Sequence, residues 1–230
     1  MWGFREKEKV EDTDELLKKY LALIDKCLVH FVGPAFTEEL ARAKSVFFER
    51  AGVLDETTPG YDLRMSQFFD WYFFTHELSG YGLTALHSVG MIRGLRLDEE
   101  ELQLVEQLKS HRHGLFEFVK KRKDDLTVTD IFTGKKLVVR NCNFASSFSE
   151  DEYFEARLFP AGDTWVFGRG FCFHPFEAKK FIVGEIKKHL RDPDYGADEL
   201  MLRLLKMRYR AERFRHVALE HIYTNNSKFD

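Results

Sequence analysis

The chain has 230 residues, 44% hydrophobic and 15% aromatic, with 35 Lys and Arg against 38 Asp and Glu for a formal charge of −3. That apolar content excludes a disordered chain, and near-neutral charge with a pI ≈ 6.3 excludes a surface wholly devoted to nucleic acid or anionic membrane. Three scattered cysteines (Cys27, Cys142 and Cys172) make no disulfide framework, and the charged segment Met1 to Lys9 lacks the apolar run of a secretory signal. No stretch approaches the roughly 20 apolar residues of a spanning helix. The expectation is a cytoplasmic protein with no membrane partner.

From Asp12 to Phe31 apolar residues recur at helical spacing behind an Asp12/Glu15 capping pair, and Gly33-Pro34 ends that helix. Thr37 is placed to cap a second helix that closes at Gly52, and the turn-rich stretch Asp55 to Tyr61 reads as a linker. The run Ser66 to Phe74 is too aromatic on every side for a surface helix and reads as one buried between layers. A short helix over Leu83 to Ile92 follows, then a capping-box pair, Asp98 and Glu101, ahead of Leu102, Val105 and Leu108.

Beyond His111-Arg112-His113-Gly114 the period changes to two. Leu115–Val119, Leu126–Phe132, Lys136–Asn141, Tyr153–Phe159 and Thr164–Phe173 read as strands, with turns at Thr133-Gly134 and Pro160 to Asp163. Five short antiparallel strands suit a small closed barrel of the SH3-like or OB-like kind, since closure removes exposed edges. Pro175 starts a helix, Asp192-Pro193 interrupts it, and a last helix is expected from about Ala197 to Tyr223. The fold class is α+β, divided into an N-terminal helical hairpin (1–54), a helical section with the aromatic helix (62–110), a small β-barrel (114–174) and C-terminal helices (175–230).

The segments Phe68 to Phe74, Gly82 to Leu86, Ser110 through Val119, Asp130 to Lys136, Phe154 to Pro160 and Trp165-Val166-Phe167 resemble the central region of bacterial SEC-C motif-containing proteins. The similarity spans roughly residues 66 to 175. It implies the fold and no assigned reaction. Many members of that family carry a Cys-rich zinc motif at one end; this chain has none, so zinc is not carried over.

Cys172 and His174, two apart on a strand, share a face, and Cys142 could join them from another strand. Three ligands with no Cys-x-x-Cys fall short of the four of a structural zinc site, so they read as buried thiols and an ordinary histidine, and no metal or cofactor is expected. His76-Glu77 lacks the second histidine of a zincin, position 80 being Gly. His111 and His113 read as solvated connector residues beside Arg112. Cys172, His174 and Asp130 could be assembled into a nucleophilic set, but no nucleophile elbow, phosphate loop or dinucleotide fingerprint accompanies them, and Asp130 reads better as a turn-stabilising carboxylate.

The strongest charge signal lies near the C-terminus. From Phe176 onward there are 12 basic and 9 acidic residues, and Arg203, Lys206, Arg210 and Arg213 form one helical stripe. Its plain reading is a solvated face paired with the acidic first half; its sharper reading is anion or nucleic-acid contact, with Phe116, Phe118, Trp165 or Phe167 stacking bases. The 23 phenylalanines are expected mostly in the core, an exposed cluster marking a partner groove. Together these features favour a non-catalytic binding or adaptor protein that takes a protein partner, with nucleic-acid binding as the alternative and an enzyme of unrecognised type as the third reading.

Overall fold

Helix α1 (Thr13–Phe31) begins where the Asp12 carboxylate accepts a hydrogen bond from the Asp14 amide, and its apolar spacing puts Leu16, Tyr20, Leu23, Ile24, Cys27 and Phe31 in the core. The computed structural model describes residues 12–53, 60–140, 142, 148, 153–192 and 196–226; most of the Asp55 to Tyr61 linker, Pro193 and Met1 to Lys9 lie outside them. Helix α2 (Thr37–Ala51) is entered through a 3-10 turn at Pro34–Phe36, so Thr37 is its first residue rather than its cap, and the Thr37 hydroxyl donates to the Pro34 carbonyl. Gly52, at φ 93°, ends it in a region that side chains disfavour. Helix α3 (Tyr61–Phe74) carries the aromatic run. Phe68, Trp71, Tyr72, Phe73 and Phe74 are all buried, so the run is core and offers no aromatic groove. A two-residue hairpin, β1 (Glu77–Leu78) and β2 (Leu83–Thr84), precedes a single turn of helix, α4 (Ala85–Ser88), and α5 (Glu99–Leu108) opens on the expected capping box.

The five strands are β3 (Arg112–Arg122), β4 (Asp125–Asp130), β5 (Lys136–Val139), β6 (Tyr153–Ala161) and β7 (Thr164–His174). They close into a barrel in the order β3-β4-β5-β7-β6. Four of its pairings are antiparallel; β5 meets β7 in parallel, through Val139 and Trp165. That crossover is the Greek-key order of the OB-like alternative. The interior is filled by phenylalanine: the Phe154 ring lies 5.0–6.2 Å from those of Phe116, Phe148, Phe167, Phe171 and Phe173. Phe116, Phe118 and Phe167 are therefore buried, and their faces are not available to stack bases.

Past Pro175 come a 3-10 turn at Phe176–Ala178 and then α6 (Lys179–His189), α7 (Ala197–Arg213) and α8 (Leu219–Ile222). The single helix expected to Tyr223 is broken. Phe214 leaves helical geometry at φ −109°, ψ 56°, and the chain turns back to bury Ile222 and Tyr223 against α6 and the barrel. An unbroken helix, rising about 1.5 Å per residue, would carry Tyr223 roughly 15 Å beyond Arg213.

One hydrophobic cluster joins α1 to α5 with Phe159, Ala161, Val166 and Cys172 of the barrel and Leu202 and Leu205 of α7. The helices before and after the barrel also meet directly, where Arg50 of α2 pairs with Glu199 of α7 at 3.0 Å. Arg157 of β6, fully buried, donates through Nε to Asp70 of α3 at 2.8 Å and lies over the Phe74 ring. Among the described residues, no helix is long and apolar enough to cross a membrane.

Candidate functional site: an arginine-lined cleft above a buried polar triad

Strand β7 pairs with β5 only near Trp165, so farther along, at Phe171 and Phe173, that edge has no strand partner among the described residues. Alternate carbonyls of a strand face the same edge, and unpaired ones must find donors. Two helices supply them. Gln67 Nε2 of α3 donates to the Phe171 carbonyl at 2.7 Å, and Arg208 Nε of α7 donates to the Phe173 carbonyl at 2.6 Å. Both helices are clasped to the strand in this way, and a cleft of about 820 Å³ is lined by residues of α3, β7 and α7.

Four arginines, Arg64, Arg208, Arg213 and Arg215, stand in its walls. Arg64 is buried; its Nη2 donates to the carbonyls of Ala51 (2.7 Å) and Gly52 (2.8 Å), and its guanidinium lies 4.8 Å from the Tyr209 ring centre. Burial lowers the pKa of Arg64, against the raising influence of Cys172, Tyr209 and Glu212. Arg208 also pairs with Glu212 at 3.0 Å, while Arg213 and Arg215 stand exposed at the mouth. Val53 and Leu63, both exposed, give the rim an apolar side.

The stripe read from sequence is divided by the fold. Arg203 donates to Glu185 and to Asn225 Oδ1, tying α7 to α6 and the returning C-terminal segment, and Lys206 donates to the Glu49 carbonyl of α2 at 3.3 Å. Arg210 is half-buried. Only Arg213 of the four lines the cleft. Arg208 and Arg215 belong to the basic C-terminal segment read from sequence but lie off its stripe; Arg64, in another helix, carries no sequence signal for this site.

Beneath the cleft is a second constellation. Register places Glu155 of β6 directly opposite Cys172 of β7, and His174 follows two residues on the same face. Ligating atoms of these three side chains all lie within 4.8 Å of one another. Cys142 and Asp130 do not join them. Cys142 belongs to the barrel interior, and the Asp130 carboxylate accepts from the amides of Phe132 and Thr133, the turn role expected of it. Burial, reinforced by Glu155, pushes the Cys172 thiol well above the range in which a thiolate forms, so Cys172 is not an activated nucleophile. Burial and then Arg208 hold His174 down to about 3, neutral at physiological pH.

The histidines entering β3 are not solvated connectors. His111 is part-buried beside Leu108 O (2.8 Å) and the Phe74 ring, and burial takes its pKa down to about 3. His113 is bonded through Nε2 to Glu155 Oε1 at 2.9 Å; burial and Arg157 lower its pKa, but the Asp198 carboxylate, 3.8 Å from Nδ1, and the bonded Glu155 win and raise it. The strand begins at Arg112, earlier than the period-two pattern implies, so His113 lies within it and His111 immediately precedes it. His76 is likewise satisfied internally, 2.8 Å from Glu39.

Residues 41–203 match a family of unknown function, DUF7986, which is more than two thirds of the chain. The chain belongs to that family. The matched span contains Arg64, Gln67, Glu155, Cys172 and His174, and ends before Arg208, Arg213 and Arg215. No curated protein and no solved structure matches the chain.

Proposed function

We propose that the protein is a non-catalytic binding protein whose cleft between α3, β7 and α7 receives an acidic segment of a protein partner. The observation that carries this reading is the lining: Arg208, Arg213 and Arg215 supply positive charge around one acidic group, Glu212, beside the exposed apolar side chains of Val53 and Leu63. Arginine presents a planar fork of donors suited to carboxylates, and an apolar rim gives a neighbouring side chain somewhere to dock. The test is fluorescence anisotropy with labelled acidic peptides containing one large apolar residue, against charge-neutral controls. Arg213→Glu with Arg215→Glu should weaken binding by about tenfold or more, a change of roughly 1.4 kcal/mol. Equal binding of acidic and neutral peptides, or no effect of the double reversal, defeats the reading.

Nucleic-acid binding is supported by a different observation. The β3–β4 turn presents Lys120, Lys121, Arg122 and Lys123 to solvent beside an OB-like barrel, a fold that often binds single strands near that turn. Here the support is fold analogy plus charge. Salt-dependent binding of a single-stranded oligonucleotide that is lost in Lys121→Glu/Arg122→Glu and kept in the cleft double variant would favour it over the acidic-peptide reading.

A further inference from the structure

Two buried polar atoms in the constellation beneath the cleft have no hydrogen-bond partner among the described residues: Glu155 Oε2 and His174 Nε2. Such atoms are costly to bury and call for an explanation. Both belong to residues whose ligating atoms lie within 4.8 Å of each other and of the Cys172 sulfur. We propose that Glu155, Cys172 and His174 form a binding site for a thiophilic divalent metal ion, with zinc the best match.

The donor set is what selects the metal. A sulfur ligand disfavours magnesium and calcium, whereas sulfur, imidazole nitrogen and carboxylate oxygen together suit zinc. Bond lengths of about 2.0–2.3 Å place the ligands of a tetrahedral zinc roughly 3.3–3.6 Å apart, so a contraction of about an ångström, within side-chain rotation, closes the site. Charge matches as well: a Cys172 thiolate and a Glu155 carboxylate neutralise a dication in a buried setting beside Arg208, and the thiol proton leaves as the metal–sulfur bond forms.

The supporting hydrogen bonds aim the right atoms inward. Tyr223 Oη lies 3.1 Å from His174 Nδ1, so an Nδ1–H donating to that oxygen leaves the Nε2 lone pair free for the metal. His113 holds the other oxygen of Glu155. Ligand-orienting contacts of this kind accompany most metal sites. The fourth position falls to water: Glu155 and Cys172 border a void of about 20 Å³, room for one water molecule. Three protein ligands and a water is the pattern of an open zinc site.

The experiment uses the full chain, with metal content measured by mass spectrometry after exhaustive dialysis and with Co²⁺ added as a spectroscopic probe. The expected result is about one zinc per chain, and a thiolate-to-cobalt charge-transfer band that disappears in Cys172→Ser. Tyr223→Phe removes only a hydroxyl and should weaken metal affinity about 10- to 100-fold while far-ultraviolet dichroism stays unchanged. If Cys172→Ser fails to fold, the Tyr223→Phe affinity and the wild-type cobalt spectrum decide. A wild-type protein without stoichiometric metal and without the cobalt band overturns the proposal, as does a band that survives in folded Cys172→Ser.

Discussion

Asp70→Ala tests how the helical section is held to the barrel. Arg157 is 1% exposed and has one anionic partner on α3, the Asp70 carboxylate 2.8 Å from its Nε; it also donates to the Thr75 hydroxyl at 3.1 Å and lies over the face of Phe74. Removing Asp70 takes away the carboxylate bonded to a buried guanidinium and leaves only the more distant Asp198 to oppose its charge, a loss worth about 3–5 kcal/mol. For a chain of this size each kcal/mol moves the midpoint by about 2–4 °C, so Tm should fall by roughly 6–20 °C. Replacing the pair together by apolar residues, Asp70→Leu with Arg157→Met, removes the stranded charge and should regain most of the loss, because a buried ion pair is often no more stabilising than packed hydrocarbon. Urea denaturation and calorimetry on the three variants read both effects. A cost below about 1 kcal/mol for Asp70→Ala, or a double variant less stable than the single, would refute the reasoning.

Phe154→Ala should cost about 3–5 kcal/mol in urea unfolding, since Phe154 is fully buried at the centre of the barrel rings, and Phe154→Leu much less. Arg203→Ala should destabilise by about 1–3 kcal/mol, because buried Glu185 loses a partner, while leaving acidic-peptide binding unchanged; Arg213→Glu/Arg215→Glu should do the reverse in the paired unfolding and anisotropy assays. Acid should weaken the fold in two steps. His111, with its pKa down to about 3, stays neutral in the folded state while the unfolded chain takes up a proton below 6.5, so stability present above 6.5 is withdrawn at up to about 1.4 kcal/mol per unit as pH falls toward 3. Despite burial, which raises it, Glu185 is held down to about 2 by hydrogen bonds from Lys188, Asn225 and Arg203, and its contribution is lost as pH falls from 4.5 toward 2. His113 has a raised pKa and works in the opposite sense, so the check is the difference in urea midpoint between wild type and His111→Asn across the range 6.5 to 4.5, where the variant's profile should be flatter.

Local chemistry made much of this protein legible in its sequence. The capping signals at Asp12 and Asp98, the apolar spacing of α1 and the turn at Asp130 depend on residues a few positions apart, and each stands where it was expected; the shift to period two marks the first barrel strand but places its start at Leu115 rather than Arg112. The aromatic run was legible as a buried helix for the same reason: a segment apolar on every side has no face to give to water. What long-range contacts decide was not legible. Whether α7 continues or breaks at Phe214 depends on the core that Ile222 and Tyr223 find by turning back, and whether His111 and His113 are solvated depends on the helices that cover β3. The basic stripe follows from helical periodicity, yet partners on α2 and α6 take two of its members inward. The cleft gathers Arg64 and Arg208 from segments more than a hundred residues apart. Glu155 meets Cys172 through the register of the β6–β7 hairpin, set by the turn between Ala161 and Thr164 and by the register shift between Ala156 and Leu158, which the spacing within either strand does not show.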